Sequence, residues 1–151
     1  MSAADDRDEI RALIHEYCYR LDAGDLDGVA ALFEHGEMGA TTHDRRRRGA
    51  AEVRHTFDGV ELYDDGTPCT LHMIANTTIR FDGADAASSR SAFVVLQSRA
   101  DFPLQPVLAG EYHDRFERAD GAWRFAVRIV DPRRVGDLSG HMRAGQRAEP
   151  R

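Results

Sequence analysis

The spacing of apolar side chains divides the chain into an N-terminal helical part and a C-terminal part built of strands. In the first segment these side chains recur at helical spacing and form one stripe, which consists of Ile10, Leu13, Ile14, Tyr17, Cys18 and Leu21. The acidic run at residues 5–9 suits a helix N-terminus, and Gly24 suits a helix stop. The pattern therefore predicts a first helix that ends just before Gly24.

Shorter elements are predicted between this helix and residue 68. Asp25 is a good N-cap for a second helix at about residues 25–34. Residues 35–42 fit a short strand or a loop, and residues 50–57 fit a third short helix. Residues 60–68 carry an Asp-Asp-Gly sequence and a proline, which predict a loop.

From residue 69 onward the apolar pattern changes to period two, which is typical of strands. Four long strands are predicted, at about residues 70–81, 91–102, 107–118 and 122–130. Asp-Gly pairs at residues 82–83 and 120–121 mark turns between them. Helices followed by consecutive strands predict an α+β domain, with helices packed on one face of a strongly curved, mainly antiparallel sheet.

The predicted sheet ends before residue 136. We therefore expect one domain at residues 1–135. Residues 136–151 are polar and rich in glycine. This composition predicts a flexible C-terminal tail, or a lid if other parts of the chain order it.

The composition is that of a soluble globular protein. The 151 residues are 42% hydrophobic and 30% charged, which suits a single domain with a sizeable core. No apolar run approaches the ~20 residues of a membrane span, and the acidic N-terminus lacks the apolar core of a signal peptide. Cys18 and Cys69 have neither a metal-binding nor a disulfide spacing. We therefore expect free thiols and a cytoplasmic location.

The net charge of −6 argues against nucleic acid as the main partner. The exception is the run of four arginines at residues 45–48. Such a run usually forms a solvated loop, but it can also contact a phosphate or a carboxylate. The chain contains no lysine, so chemistry based on a lysine Schiff base or a lysine general base is excluded.

Asp22 falls in the last turn of the first predicted helix. The helix dipole opposes a negative charge there by ~0.3–1 kcal/mol. The residue also borders the apolar stripe, beside Cys18. Asp22 is therefore either a solvated turn residue or part of an acid–base site.

His72 lies on the first long strand, on the face that also carries Thr70, Ile74 and Asn76. The opposite face carries Leu71, Met73 and Ala75, so neither face is cleanly polar. A histidine on a covered face is either a hydrogen-bonded core residue or a general base oriented by a carboxylate. Whether Asp22 reaches His72 depends on tertiary packing.

Three further side chains are candidates for chemistry. Tyr17 is either a core aromatic residue or a hydroxyl donor at the mouth of a pocket. Arg128 lies in an otherwise apolar strand and needs a partner, either a structural acid or an anion of the substrate. His113 is a mainly structural candidate that we expect to point inward, on the same face as Ala109 and Glu111.

The sequence lacks several motifs that would indicate other chemistries. The histidines have no metal-ligand spacing, and neither a nucleophile elbow, a dinucleotide-binding glycine motif nor a phosphate loop is present. We therefore expect no metal and no cofactor. Cofactor-independent acid–base chemistry or ligand binding remains.

The chain resembles the SnoaL-like, or nuclear transport factor 2-like, superfamily over residues 10–132. Residues 10–33 look like the paired N-terminal helices of that superfamily, and residues 110–125 are similar to its C-terminal hairpin. The resemblance implies a cone-shaped α+β barrel. It specifies the fold rather than the activity, because this fold hosts many functions.

A more specific resemblance is to the lyase branch: scytalone dehydratase, hexachlorocyclohexane dehydrochlorinase and bile-acid 7α-dehydratase. These enzymes use an Asp–His pair, and Asp22 and His72 match its positions. Tyr17 matches a tyrosine of the bile-acid enzyme, and Arg128 an arginine of the dehydrochlorinase. Scytalone dehydratase has a second histidine on the next strand, where this chain has Gln97 and a serine.

Other enzymes of the superfamily fit the sequence less well. Ketosteroid isomerases need a carboxylate base on the first short strand, and the nearest acid here is Glu37. Limonene-epoxide-hydrolase chemistry needs an Asp-Arg-Asp set. Arg128 and Asp131 supply only part of that set.

The resemblance implies a dehydratase or dehydrohalogenase in which His72, held by Asp22, removes a proton from carbon, assisted by Tyr17 or Arg128. The substrate would be a small or polycyclic hydrophobic molecule, bound by a pocket formed by Phe33, Asn76, Leu96, Phe102 and Ile129. Alternatives are a non-catalytic binding or assembly module, like the small subunits of ring-hydroxylating dioxygenases, or another acid–base enzyme: an isomerase, a cyclase or an epoxide hydrolase.

Self-association is the last expectation. The sheet face turned away from the helices is predicted to carry Leu71, Met73 and Val95, and apolar faces of this kind are normally covered. The lyase branch forms trimers and other branches form dimers, so the resemblance implies a homo-oligomer, with a trimer favoured.

Overall fold

The structure is a computed structural model that describes residues 2–144. Its helices are α1 (Ala3–Asp22), α2 (Leu26–Ala31) and α3 (Gly49–Arg54), the last followed by one turn of 3₁₀-helix at His55–Phe57. Its strands are β1 (Glu37–Ala40), β2 (His43–Arg48), β3 (Thr70–Phe81), β4 (Ala86–Arg99), β5 (Phe102–Ala119) and β6 (Ala122–Val135). No helix within the described range is long and apolar enough to cross a membrane.

Helix α1 forms where its apolar stripe and its caps predict it. Ser2 caps the N-terminus in a capping box with Asp5, and most of the stripe is buried. The helix ends at Asp22, and Gly24 follows with a φ of +75°. A Cβ at that glycine would lie 2.0 Å from the Gly66 carbonyl oxygen, so the chain turns there only because the side chain is a hydrogen atom.

The six strands form one mixed sheet in the order β2-β1-β6-β5-β4-β3. Neighbouring strands are antiparallel except β1 and β6, which pair in parallel. The α+β class is confirmed. The sheet does not close into a barrel, because β2 and β3 remain as its two edges.

Two strand predictions need correction. The sequence pattern predicts Phe102 at the end of the preceding strand. In the structure, residues 100–101 already make the turn between β4 and β5, so β5 begins at Phe102. Strand β2 was not predicted, since a run of polar residues has no apolar period two. It forms nevertheless as an edge strand against β1, where both of its faces tolerate charge.

The core lies between the helices and the sheet and is rich in aromatic rings. Phe33 of the α2–β1 connection stacks on Phe125, with ring centroids 4.9 Å apart. Phe93 stacks on Tyr112 at 4.3 Å, and Tyr17 meets Tyr112 edge-on at 5.7 Å. Burying each of these rings contributes about 1.5–3 kcal/mol, so the aromatic cluster fixes the helices on one face of the sheet.

The opposite face of the sheet carries exposed apolar side chains. Leu71 and Met73 of β3 are 54% and 51% exposed. The expectation that Val95 belongs to this face is wrong. Val95 pairs with His72 in the β3–β4 register, so it shares the inner face with that histidine and is buried.

The chain after β6 folds back against the rest of the molecule. Leu138 and His141 are buried, and Met142 forms an isolated β-bridge with Val60. This segment, residues 136–144, is the described part of the region for which the composition predicts a tail or a lid. Residues 145–151 lie outside the described range.

Candidate active site

Asp22 and His72 are in direct contact. Asp22 Oδ1 lies 2.5 Å from His72 Nδ1, and Asp22 Oδ2 accepts the backbone N–H of His72 at 2.7 Å. The hydroxyl of Thr70 donates a third hydrogen bond to Asp22 Oδ1, at 2.8 Å. The predicted contact is confirmed, and it joins the end of α1 to the start of β3.

This geometry orients the His72 ring. Because the Asp22 carboxylate accepts the Nδ1 proton, the lone pair of the neutral ring lies on Nε2. No described group makes a hydrogen bond to Nε2. His72 has only 9% of its surface exposed and lines a cavity, so Nε2 is the nitrogen free to meet a bound molecule.

The cavity has a volume of about 410 Å³, which is within the usual range for small-molecule sites. Its deeper walls are apolar or aromatic and include Tyr17, Leu21, Met38, Phe57, Val60, Phe93, Val95, Leu108, Tyr112, Val130 and Leu138. Its polar lining consists of Thr42, His43, Arg45, Arg47, His55, Thr56, His72 and His141. An apolar enclosure with few polar groups suits a hydrophobic ligand held in one orientation.

The segment after β6 brings a second imidazole into this cavity. The ring of His141 lies 6.3 Å from that of His72, measured between centroids. Two side chains fix the segment by binding the Gly140 carbonyl oxygen, Gln97 through Nε2 at 2.7 Å and Tyr63 through its hydroxyl at 2.5 Å. The backbone N–H of Glu61 donates to the His141 carbonyl at 3.0 Å.

His141 is held in its neutral form. Burial, together with the neighbouring His72, lowers the pKa of His141 from its ordinary 6.5 to about 4. Its Nδ1 is buried and has no hydrogen-bond partner among the described residues. A neutral imidazole keeps one N–H donor, and the ring of His141 is part of the cavity lining.

Tyr17 contributes its ring to the cavity wall and packs edge-on against Phe33 and Tyr112. Burial raises the pKa of Tyr17 well above its ordinary value, although Arg128 opposes this shift. The hydroxyl therefore stays protonated at neutral pH and can donate a hydrogen bond.

The rings of Tyr17 and Tyr112 together form what we call the tyrosine wall. Arg128 lies behind this wall and does not line the cavity. It is fully buried and makes two 2.8 Å hydrogen bonds to Asp114, through Nε and Nη2. Its guanidinium carbon lies 4.2 Å from the ring centroid of Tyr17 and 4.0 Å from that of Tyr112. Burial alone would lower the pKa of Arg128, but Asp114 raises it, so the side chain is a permanent cation.

The sequence profile of the SnoaL-like domain matches residues 2–129. The chain belongs to the SnoaL-like domain family. No curated protein matches it at a significant level.

Three solved structures illustrate the similarity of fold. A variant of Rv3472, a protein of unknown function from Mycobacterium tuberculosis, is 28% identical with a TM-score of 0.70, over 89% of this chain and 78% of that one. A candidate scytalone dehydratase from Novosphingobium aromaticivorans is 23% identical with a TM-score of 0.70, over 97% of each chain. The beta subunit of a candidate aromatic-ring-hydroxylating dioxygenase from the same organism is 18% identical with a TM-score of 0.72, over 93% of this chain and 97% of that one. The last two likenesses show the fold alone.

The residues proposed as pocket walls lie elsewhere in this SnoaL-like chain. Phe33 and Phe102 belong to the buried core, and Asn76 is exposed at a bulge of β3 with a φ of +35°. Leu96 is half-buried on the face opposite Val95, because a side-chain direction alternates along β4. Ile129 lines a separate cavity of about 600 Å³ on the outer face of the sheet.

His113 also differs from expectation in this SnoaL-like fold. The inner face of β5 carries Tyr112 and Asp114, so His113 points outward and is exposed. There it lies near Glu111 and Asp131, and one ligand atom from each of the three falls within 4.8 Å of the others. Arginine side chains already bind both carboxylates, at 2.6–3.1 Å for Glu111 and 2.8 Å for Asp131, so the group is neutralised without a metal ion.

Two residues of the site have only weak sequence signals. Asp114 alternates with Tyr112 and Phe116 on a buried strand face, and a single acid on an apolar face indicates a buried partner. The buried partner of Asp114 is Arg128. His141 lies in a polar stretch without periodicity, and only the apolar neighbours Leu138 and Met142 mark that stretch as packed.

Proposed function

We propose that this SnoaL-like chain is a cofactor-independent lyase of the dehydratase or dehydrohalogenase type. The observation that carries the proposal is the contact between Asp22 and His72 at an apolar cavity, with Nε2 of His72 left open. A carboxylate that fixes the tautomer of an imidazole makes the other ring nitrogen a general base. The likeness of fold to a candidate scytalone dehydratase is consistent with this chemistry.

In the proposed reaction, Nε2 of His72 takes a proton from a carbon next to the one that bears the leaving group. The C–H electron pair forms the new double bond, and the hydroxide or halide departs with the electrons of its own bond. Asp22 stabilises the imidazolium that forms on His72. When the leaving group is hydroxide, the imidazolium returns the proton and water is released; when it is a halide, the halide ion leaves and the imidazolium gives its proton to solvent.

The other side chains assist in different ways. The protonated hydroxyl of Tyr17 and the neutral ring of His141 donate hydrogen bonds to the leaving group or to a developing oxyanion. Arg128 cannot touch the substrate from its buried position, so it acts by holding Tyr17 and Tyr112. The deeper cavity walls bind the apolar body of a small or polycyclic substrate.

A second candidate function is a non-catalytic module that binds a hydrophobic ligand or joins an assembly. The fold likeness to a dioxygenase beta subunit favours it. The two candidates differ in one respect: only the lyase requires the open Nε2 of His72. We further propose a homo-oligomer, with a trimer favoured over a dimer, and a cytoplasmic location consistent with the free thiols of Cys18 and Cys69.

The test is a screen for elimination, with β-hydroxy carbonyls, hydroxylated polycycles and halogenated alicyclics as substrates. Conjugated products are detected by absorbance and halides by ion release. We expect His72→Ala to lower the turnover of any substrate found by ~10²–10⁴-fold, while the far-ultraviolet circular dichroism stays unchanged. His15→Ala, at an exposed position of α1, is the control and retains full turnover. Wild-type turnover in His72→Ala would disprove the proposed base.

A further inference from the structure

The four arginines of β2 fall into two pairs with different surroundings. Arg46 and Arg48 lie on one side of the strand and bind the same carboxylate: each places a guanidinium nitrogen 2.8 Å from a Glu37 oxygen. Strand alternation directs Arg45 and Arg47 to the other side. Both residues line the cavity that contains His72, and because Arg45 is exposed and Arg47 partly exposed, we place them at the cavity mouth.

Neither arginine at the cavity mouth forms a salt bridge with a carboxylate of the described residues, although Arg47 lies near enough to Asp58 to act on it electrostatically. Arg47 donates to the backbone carbonyl of Glu52 at 3.4 Å, and no ion pair of Arg45 or Arg47 occurs among the described residues. The run of β2 therefore holds one pair of arginines in salt bridges and leaves the other pair facing the cavity. If the run were only a solvated surface segment, we would not expect one pair of arginines to form salt bridges while the other pair lines a cavity.

The formally charged side chains that line the cavity all carry a positive charge. Among the described residues that line it, none is an aspartate or a glutamate, whereas two, Arg45 and Arg47, are arginines. The nearby Asp58 is already bound, by His55 at 2.9 Å and by Arg54 at 3.1 Å. Asp22 does not line the cavity, and its carboxylate accepts three hydrogen bonds. The cavity thus combines a cationic mouth with apolar walls.

We propose that the substrate is an apolar molecule that carries one anionic group, a carboxylate or a phosphate, bound at the cavity mouth by Arg45 and Arg47. This inference rests on the proposed function in one respect only, that the bound molecule is the one on which His72 acts. Guanidinium groups bind planar carboxylates and phosphates through paired hydrogen bonds. Anchoring the anion at the mouth directs the apolar body inward, toward the His72 and His141 rings.

The test uses two fluorescent probes of similar size that differ in charge: anilinonaphthalene sulfonate, which is anionic, and N-phenyl-1-naphthylamine, which is neutral. We expect Arg45→Gln/Arg47→Gln to weaken binding of the anionic probe by about 3- to 10-fold and to leave the neutral probe unchanged, as two partly exposed ion pairs imply. Raising the salt from about 20 to about 500 mM should weaken only the anionic probe. Displacement by dodecanoate and by dodecyl phosphate then distinguishes carboxylate from phosphate.

The chain supplies matched controls. Arg48→Gln removes the same charge one residue from Arg47 but on the Glu37 side, where Arg46 still binds Glu37, so it should change neither affinity by more than about 2-fold. Leu108→Trp narrows the cavity and should weaken both probes, which places them in it. The proposal is wrong if the double variant binds the anionic probe as tightly as the wild type, if Arg48→Gln has the same effect, if Leu108→Trp leaves both affinities unchanged, or if neither probe binds.

The two proposals can fail independently, because probe binding tests the anion site and turnover tests the lyase. An anionic preference without elimination of any substrate would support the anion site and favour the binding module over the lyase. Efficient elimination of a neutral substrate, with no effect of Arg45→Gln/Arg47→Gln on its KM, would uphold the lyase and overturn the anionic substrate class. His72→Ala should lower turnover by ~10²–10⁴-fold while keeping the preference for the anionic probe over the neutral one.

Discussion

The carboxylate of Asp22 binds both the backbone N–H and the ring Nδ1 of His72, at 2.7 and 2.5 Å. One side chain therefore fixes the position of β3 relative to α1 and the direction of the imidazole. The helix dipole disfavours a negative charge at the end of α1, so the three hydrogen-bond donors around Asp22 offset an unfavourable position. The same contact therefore holds α1 against β3 and orients the proposed base.

Asp22→Asn should impair turnover about as strongly as loss of His72. The amide cannot stabilise the imidazolium, and it can present its NH₂ group to Nδ1, which would favour the tautomer with the proton on Nε2. We expect turnover of a substrate from the elimination screen to fall by ~10²–10⁴-fold, with a loss of about 1–3 kcal/mol in the free energy of unfolding. Asp25→Asn, at the exposed cap of α2, is the control and should retain turnover. Unchanged turnover in Asp22→Asn would contradict the assigned role.

His141 should make the folded state sensitive to acid. Its pKa is lowered from 6.5 to about 4, so the unfolded chain binds a proton more readily between these values. The stability this residue contributes is thus complete above pH ~6.5 and is lost as pH falls toward ~4, by about 2 kcal/mol at pH ~5. Urea unfolding at several pH values should show a shallower decline for His141→Gln than for the wild type.

Neighbouring groups act electrostatically on His141, so the comparison with the variant matters more than the wild-type curve alone. His72 and Asp22 are the titratable neighbours that act on it. His15→Gln, an exposed substitution on α1, provides the reference and should follow the wild-type curve. Parallel curves for wild type and His141→Gln would show that burial of this imidazole does not govern the acid response.

The exposed apolar pair on β3 should mediate self-association. Leu71 and Met73 pair across the sheet with Leu96 and Val94, so four apolar side chains form a continuous outer surface. We expect light scattering to give about three times the 16.9 kDa mass of one chain. Leu71→Glu/Met73→Glu should lower the mass to that of one chain, whereas Thr78→Glu on the same strand should not. A wild-type mass of one chain over a wide concentration range would exclude the oligomer.

Local patterns predicted those parts of the fold that depend on local interactions. The apolar stripe of α1 and the period two of β3 placed Asp22 and His72 on elements that pack together. Their contact needed the family resemblance as well, since the two residues are 50 positions apart in the chain. Val95 and Leu96 show why side-chain directions were harder: alternation puts the two side chains on opposite faces, but which of them faces the helices depends on the β3–β4 register, which pairs Val95 with His72.

Other parts of the site depend on packing that no local pattern records. Phe33 and Phe102 were expected at the cavity, but an aromatic ring fits the core equally well, and the sequence does not distinguish the two positions. His141 reaches the cavity through tertiary contacts of its segment, among them the bonds of Gln97 and Tyr63 to the neighbouring carbonyl. Those two bonds join segments 43 and 77 residues apart in sequence.

The buried pair of Arg128 and Asp114 should dominate the stability of the tyrosine wall. Removing one partner leaves an uncompensated buried charge, so Arg128→Met should lower the free energy of unfolding by about 3–5 kcal/mol in urea titration. Replacing both, as Arg128→Met/Asp114→Leu, should recover most of that loss because no charge then remains buried. Arg124→Met, on the same strand and paired with Glu117 at a partly exposed site, should cost less than about 1 kcal/mol.

The double variant also separates folding from chemistry. If Arg128 acts by positioning Tyr17, Arg128→Met/Asp114→Leu should fold but turn over substrate more slowly than the wild type, because the cation that holds both tyrosine rings is gone. Tyr17→Phe should show a similar reduction in kcat, and adding it to the double variant should reduce kcat little further. Wild-type turnover in the folded double variant would show that Arg128 contributes to stability and not to catalysis.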